Sequence, residues 1–293
     1  MAGTEPSFFV RHEFLIRRLH SLTGIIFGGY VCVHLFVNAS IVGGAQAFQK
    51  NVLAIHSLGG ILPLVEWVFI FIPILFHMFV GIGITVGMIP NNNNYAYEAN
   101  WRYTMQRVTG IYLFLFILWH VFQTHGWFHF DWWLSVAERW GGAQFSPYNA
   151  ASSIGLIMQN LLVSLLYALG VLAAAFHLFN GIWTAGITWG IWTRPHAQAN
   201  ALKVCLAASV LLGVVGLGAI WGARKVGSSQ ESIEQAQAIE DEMYTVQVEA
   251  GLIPPDEHKR SHHADSKEPA AMSAKTVSNE DTTNQTDEDE SGE

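Results

Sequence analysis

Long apolar runs separated by short polar stretches set the plan of this chain. They cover roughly 19–42, 61–89, 108–126, 153–192 and 201–221. A helix needs about 20 apolar residues to cross a bilayer, and each run reaches that length. The fourth is far longer than one crossing requires, so it is expected to tilt or to extend beyond the hydrocarbon. With no water in the membrane core to satisfy backbone groups, helices are the expected form. The pattern therefore predicts an all-α membrane protein with five transmembrane helices.

Four of the runs carry a histidine in a repeated context. "FHMFVG" at 76–81 is matched by "FHLFNG" at 176–181, and "TGIIFGGYVCVH" at 23–34 by "TGIYLFLFILWH" at 109–120. Alternating spans at about 1.5 Å per residue put His34 and His120 near one side of the bilayer and His77 and His177 nearer the other. A lone ionisable residue in a membrane helix is costly and normally faces the bundle interior with a function. Four such residues, one per helix and matched in pairs, exceed what helix packing alone asks for. Two imidazoles facing each other across a bundle form a clamp for a haem iron, and bis-histidine ligation restricts the chemistry to one-electron transfer. Gly81 and Gly181, four residues after their histidines, share the histidine face and leave room for a flat porphyrin. Thr23 and Thr109, eleven residues before theirs, are either part of that face or ordinary small-residue packing.

Charge divides the chain in two. Residues 1–226 hold 11 Lys/Arg against 6 Asp/Glu, whereas residues 227–293 hold 4 against 17. The first part is read as the five-helix dihaem domain. The second is read as an acidic, mostly disordered tail, too poor in apolar residues to offset its ordering entropy. One helix is expected within it, over 232–251, before Pro254 and Pro255. Its histidines His258, His262 and His263 lack a structured frame for metal binding. Cys32 and Cys205 fall inside spans and read as packing residues. No motif for a nucleotide, flavin or iron–sulfur cluster is present, and no nucleic-acid partner is expected.

Lys/Arg bias orients the spans. Arg11, Arg17, Arg18, Arg102, Arg107, Arg194 and Lys203 fall on one side, against Lys50, Arg139, Arg224 and Lys225 on the other. The N-terminus is thereby placed in the cytoplasm and the acidic tail outside. His56, His125 and His129 fall near outer loops and read as surface residues.

Taken together, "RRLHSLTGI" (17–25), "HLFVN" (34–38), "IPILFHMFVGI" (72–82), "QRVTGI" (106–111), "LWHVFQT" (118–124) and "FHLFNGIWTAGITWGI" (176–191) resemble the dihaem cytochrome b558 membrane anchor of succinate dehydrogenases and related fumarate reductases. The resemblance covers about residues 8–222. It implies a haem-binding bundle in the bacterial cytoplasmic membrane, with two haem b groups and with quinone as substrate. Its implied partners are a flavoprotein (FAD) subunit, an iron–sulfur subunit and membrane lipid. The complex would serve the respiratory chain and the tricarboxylic acid cycle, with the succinate chemistry in the flavoprotein. By the same resemblance His34 and His120 ligate the distal haem, and His77 and His177 the proximal one. His20 and Ser21 stand where the family holds haem propionates. Arg17, Arg18, Arg102 and Arg107 serve either such contacts or membrane anchoring. Glu66, the carboxylate inside a span, is either a proton-handling group beside quinone or a structural one. Some fumarate reductases carry a glutamate two residues before the fourth ligand; here that residue is Ala175. Two rivals remain at this point: a hydrogenase or formate dehydrogenase cytochrome b, and a haem-free transporter or anchor using its histidines as a proton relay.

Overall fold

A computed structural model describes residues 11–86, 92–128, 130–256 and 259–260. Among them, all regular structure is helical. Five segments are long and apolar enough to cross a membrane: Glu13–Gly43, Gly59–Val86, Glu98–His125, Leu161–Thr188 and Pro195–Val226. The chain is a multi-pass membrane protein. Its helices are α1 (Glu13–Ala39), α2 (Ala45–His56), α3 (Leu62–Glu66), α4 (Ile72–Val86), α5 (Glu98–His125), α6 (Asp131–Arg139), α7 (Ala150–Gln159), α8 (Leu161–Thr188), α9 (Pro195–Val226) and α10 (Gln230–Glu249).

The second span is α3 and α4 joined by a π-helical turn, Trp67–Phe71. Pro73 explains the turn. It has no N–H to offer the carbonyl four residues back, and the preceding Ile72 N–H bonds Trp67 O, five residues back. The fourth apolar run does not tilt as one helix. It breaks at Asn160, whose extended backbone ends α7 and whose side-chain oxygen accepts from Leu162 N and Val163 N to start α8.

α1 packs on α4, α5 on α8, and α9 lies along α1 and α8. Small residues let α9 approach closely, as membrane helices require. A Cβ on Gly216 would stand 2.4 Å from Val171, and one on Gly222 would stand 2.7 Å from Ile41. α4 and α5 scarcely touch, and between the α1/α4 and α5/α8 pairs runs a cavity of about 1760 Å³.

The start of the acidic segment is folded, not disordered. α10, close to the expected 232–251, packs on α2 and α7 at the end of the bundle where His34 and His120 lie. Glu240, fully buried, accepts from Ala151 N, Ser152 N (3.2 Å) and Ser152 Oγ (2.6 Å), so it caps the N-terminus of α7 from another helix. Asn149 donates to Asp241 (3.2 Å), which also holds Arg260 (2.9 Å). Tyr244 packs on Tyr148, with ring centroids 5.0 Å apart. What made the segment read as disordered was its charge. Of its apolar residues, Ile233, Ala236, Tyr244 and Ile253 are buried, whereas Ile239, Val246 and Leu252 are exposed. Residues 261–293, with His262 and His263, lie outside the described residues, as do His129 and His258.

Burial pushes the Glu240 carboxyl up from 4.5 to about 7, against the lowering effect of its three donors. A raised folded value favours the protonated form, so docking of α10 is firmest below pH 4.5 and weakens as pH rises through about 7. Hydrogen exchange of the α10 amides, corrected for intrinsic rates, should therefore accelerate between about pH 5 and pH 8. Glu240→Gln should flatten that dependence, and Glu240→Ala should loosen α10 at every pH by about 1–3 kcal/mol.

Candidate functional site

The cavity is lined by the four span histidines, by His20 and by Glu66. The rings meet in two pairs. His34 and His120 have centroids 6.1 Å apart at 75°, and His77 and His177 lie 6.1 Å apart at 86°. Two imidazoles bound end-on to one metal, each at about 2 Å, would have ring centres roughly 6 Å apart. The pairs occupy two levels, termed inner for His77/His177, beside the N-terminal part of α1, and outer for His34/His120, nearer its C-terminal end. His20 stacks on His77 (4.0 Å, 10°) and precedes His34 by fourteen residues on α1, about 21 Å of helix.

The inner pair is held by one device used twice. His77 Nδ1 bonds the His20 carbonyl (2.9 Å), and His177 Nδ1 bonds the Gln106 carbonyl (3.0 Å). A carbonyl only accepts, so Nδ1 carries the proton and Nε2 is the nitrogen left for a metal. His20 and Gln106 each lie fourteen residues before the outer histidine of their own helix. Three residues after each comes the threonine, whose hydroxyl bonds the same carbonyl: Thr23 to His20 O (3.1 Å) and Thr109 to Gln106 O (3.2 Å). Next comes the glycine of the Thr-Gly pair. A Cβ on Gly24 would stand 2.6 Å from the His77 ring, and one on Gly110 would stand 3.0 Å from the His177 ring. Gly81 and Gly181 complete the match, facing His20 (3.1 Å) and Gln106 Nε2 (3.3 Å). The glycines thus make room for side chains of the neighbouring helix.

The outer pair is held differently. His120 Nδ1 meets the Tyr167 hydroxyl at 3.0 Å. His34 has Tyr30 OH and Asn38 Nδ2 at 3.4 Å each, one turn away on its own helix. Glu66 lines the same part of the cavity with Tyr30 and Asn38, and Ala175 is buried against Leu35 and Leu212. His125 is exposed. His56 is not a plain surface residue: half-buried, it lines the cavity and meets the Tyr148 ring at 6.1 Å.

At the inner end Arg17, Arg102 and Arg107 reach the cavity. Arg102 pairs with Glu98 and covers the Trp183 ring, and Arg18 lies over Phe14 and Trp189. Ser21 is engaged twice, donating to Arg18 O (2.9 Å) and accepting from Trp189 Nε1 (2.8 Å). His20 Nδ1 is buried with no hydrogen-bond partner.

The donor chemistry fits a macrocycle better than a bare ion. Among the described residues no three His, Cys, Asp or Glu converge on one point. Each level offers two imidazoles, which suits an iron whose four in-plane donors come from a porphyrin.

The chain is 34% identical over 210 residues, 71% of its length and 96% of the relative's, to the succinate dehydrogenase cytochrome b558 subunit of Bacillus subtilis (strain 168). It belongs to that family. No family model matches the chain. Membership makes it a b-type cytochrome, a haem protein of electron transport and a membrane subunit of succinate dehydrogenase. The hydrogenase cytochrome and the haem-free anchor are set aside on the same ground.

Sequence reasoning missed Gln106, saw the Thr-Gly repeat but gave Gly24 and Gly110 no role, and missed Tyr167. The signal for the first three was the shared spacing of 14 and 10 residues before each outer histidine. Gly110→Val would drive a branched side chain into the His177 ring, where such overpacking costs about 1–3 kcal/mol. Haem content per inserted chain should fall, as read by pyridine haemochrome against protein, while Gly83→Val, where nothing lies within 4 Å, should leave it unchanged.

Proposed function

We propose that this chain carries electrons from the iron–sulfur subunit of succinate dehydrogenase, itself fed by the flavoprotein (FAD) subunit, through two bis-histidine b haems to quinone. The observation that carries this reading is the pair of imidazole clamps at two levels of one cavity. His77 and His177 would hold the inner, proximal haem, and His34 and His120 the outer, distal one. Held between two imidazoles, each haem would supply one-electron transfer with no open site for oxygen.

The chain's own part is to position and insulate. The His20 and Gln106 carbonyls fix the inner rings. α9 closes the bundle behind α1 and α8. His20, with its partnerless Nδ1, suits a propionate contact, and Arg17, Arg102 and Arg107 supply positive charge beside it. Ser21 shares that role only if it exchanges a present partner. Quinone would react by the outer pair, where Glu66 offers a carboxylate for proton exchange.

The Lys/Arg bias supports a cytoplasmic N-terminus in the bacterial inner membrane, with the soluble subunits at the Arg17/Arg102/Arg107 end. The domain at 1–226 then does the electron work. Within 227–293, α10 would add an outer cap.

Reduced-minus-oxidised spectra of the purified complex should resolve two b components. His34→Ala and His120→Ala should each abolish the same one, and His77→Ala and His177→Ala the other, halving haem content each time. If His34→Ala and His77→Ala removed the same component, the pairing would be wrong. His34→Ala should also stop succinate-driven quinone reduction while a dye reacting at the soluble subunits is still reduced. Quinone activity surviving without the outer haem would move the quinone site inward.

A further inference from the structure

One imidazole brace is built from a side chain of another helix, and it has no equivalent in the repeated device. Tyr167 lies on α8, ten residues before His177 and about 15 Å along the helix, which brings it level with the outer pair. Its hydroxyl donates to Gln123 Oε1 (3.0 Å), so its oxygen is free to accept from His120 Nδ1–H (3.0 Å). At the matching place in the second span, ten residues before His77, stands Trp67, exposed and in the π-turn. The outer pair is therefore braced asymmetrically.

We propose that Tyr167 is a positioning residue for His120, and that its phenol oxygen sets the reduction potential of the haem held by the outer pair. The proposal rests on the bis-histidine reading above. Tyr167 and Gln123 are both buried in apolar spans, where an unpaired polar group is costly, so each needs the other. The phenol has little freedom to move. Phe116 meets it edge-on at 5.5 Å and Trp119 at 5.4 Å, and Gly170 admits the Phe116 ring, since a Cβ there would stand 2.4 Å from it. Phe116 also lies parallel to the His120 ring at 6.0 Å. The Gln123 backbone is anchored in turn, its main-chain carbonyl accepting from Gln144 N (2.8 Å). The acceptor is thus held at a fixed distance from Nδ1.

An acceptor on Nδ1–H makes the imidazole a stronger donor to iron and favours the ferric state. The inner rings use backbone carbonyls, which substitution cannot remove. At the outer level the acceptor is a phenol oxygen, a weaker one, and a single oxygen atom can be deleted without disturbing the packing.

The test is potentiometric titration of the assembled complex with the two haems resolved, and Tyr167→Phe keeps the aromatic box. The outer haem should become easier to reduce, its potential shifting upward, with the inner potential unmoved. The ferric low-spin resonance of the outer haem should shift as well. Gln123→Leu, which takes away the acceptor of the phenol proton, should move the outer potential the same way by less. An unchanged outer potential, or equal movement of both haems, would overturn the proposal. His120→Ala separates the two readings: if it removes no haem, the ligand assignment falls, not the brace.

Discussion

A neutral imidazole in an apolar bundle has two nitrogens to satisfy, and an axial ligand gives only one of them to a metal. The other must find an acceptor inside the protein, because lipid offers none and an orphaned donor is expensive. Helices hide their acceptors, since every interior carbonyl is already used. His20 and Gln106 resolve this by sharing: each carbonyl takes the ring proton of a neighbouring helix together with the hydroxyl of a threonine three residues on. Threonine bonding back to its own helix tends to bend it and tilt a carbonyl outward. The glycine next to each threonine then lets the ring come near enough to reach that carbonyl.

The rest of the bundle follows from this requirement. Ring and carbonyl sit on different helices, so α1 must lie against α4 and α5 against α8. α1 also packs on α8, while α4 and α5 stand apart, and the space so left is the cavity. α9 brings no histidine to the cavity, its His196 being exposed in the first turn; its small residues seal α1 to α8 and keep the two pairs in register.

Much of this was legible in the sequence. Five spans follow from run length, and the pairing of histidines from their depth in alternating helices. The repeated Thr-Gly and Phe-His motifs were visible too, but their physical purpose was not. Gly81 and Gly181 read as space for a flat ligand, whereas they face the residues fourteen positions before the outer histidines. That contact joins helices dozens of residues apart, and one chain's spacing does not reveal which carbonyl a ring will choose. Tyr167 was hidden for the same reason: a tyrosine in a span reads as packing until its hydroxyl is seen against His120. Asn160 breaks an unbroken apolar run, so hydropathy alone could not find the end of α7. The α10 helix was expected, but its docking was obscured by composition, because a mean over an acidic segment averages away four buried apolar residues.

The cap formed by α2, α7 and α10 has a consequence for how the molecule is assembled. α2 follows the first span, α7 precedes the fourth and α10 follows the fifth, yet all three meet, with Gln49 bonding Ala150 N and Pro147 O while Glu240 closes the start of α7. Segments delivered by separate crossings can join only if every crossing has gone the intended way. One inverted span would strand a member of the trio across the bilayer, leaving Glu240 or Gln49 without its buried partners. Formation of the cap is therefore a built-in inspection of the threading of all five spans, completed by α10.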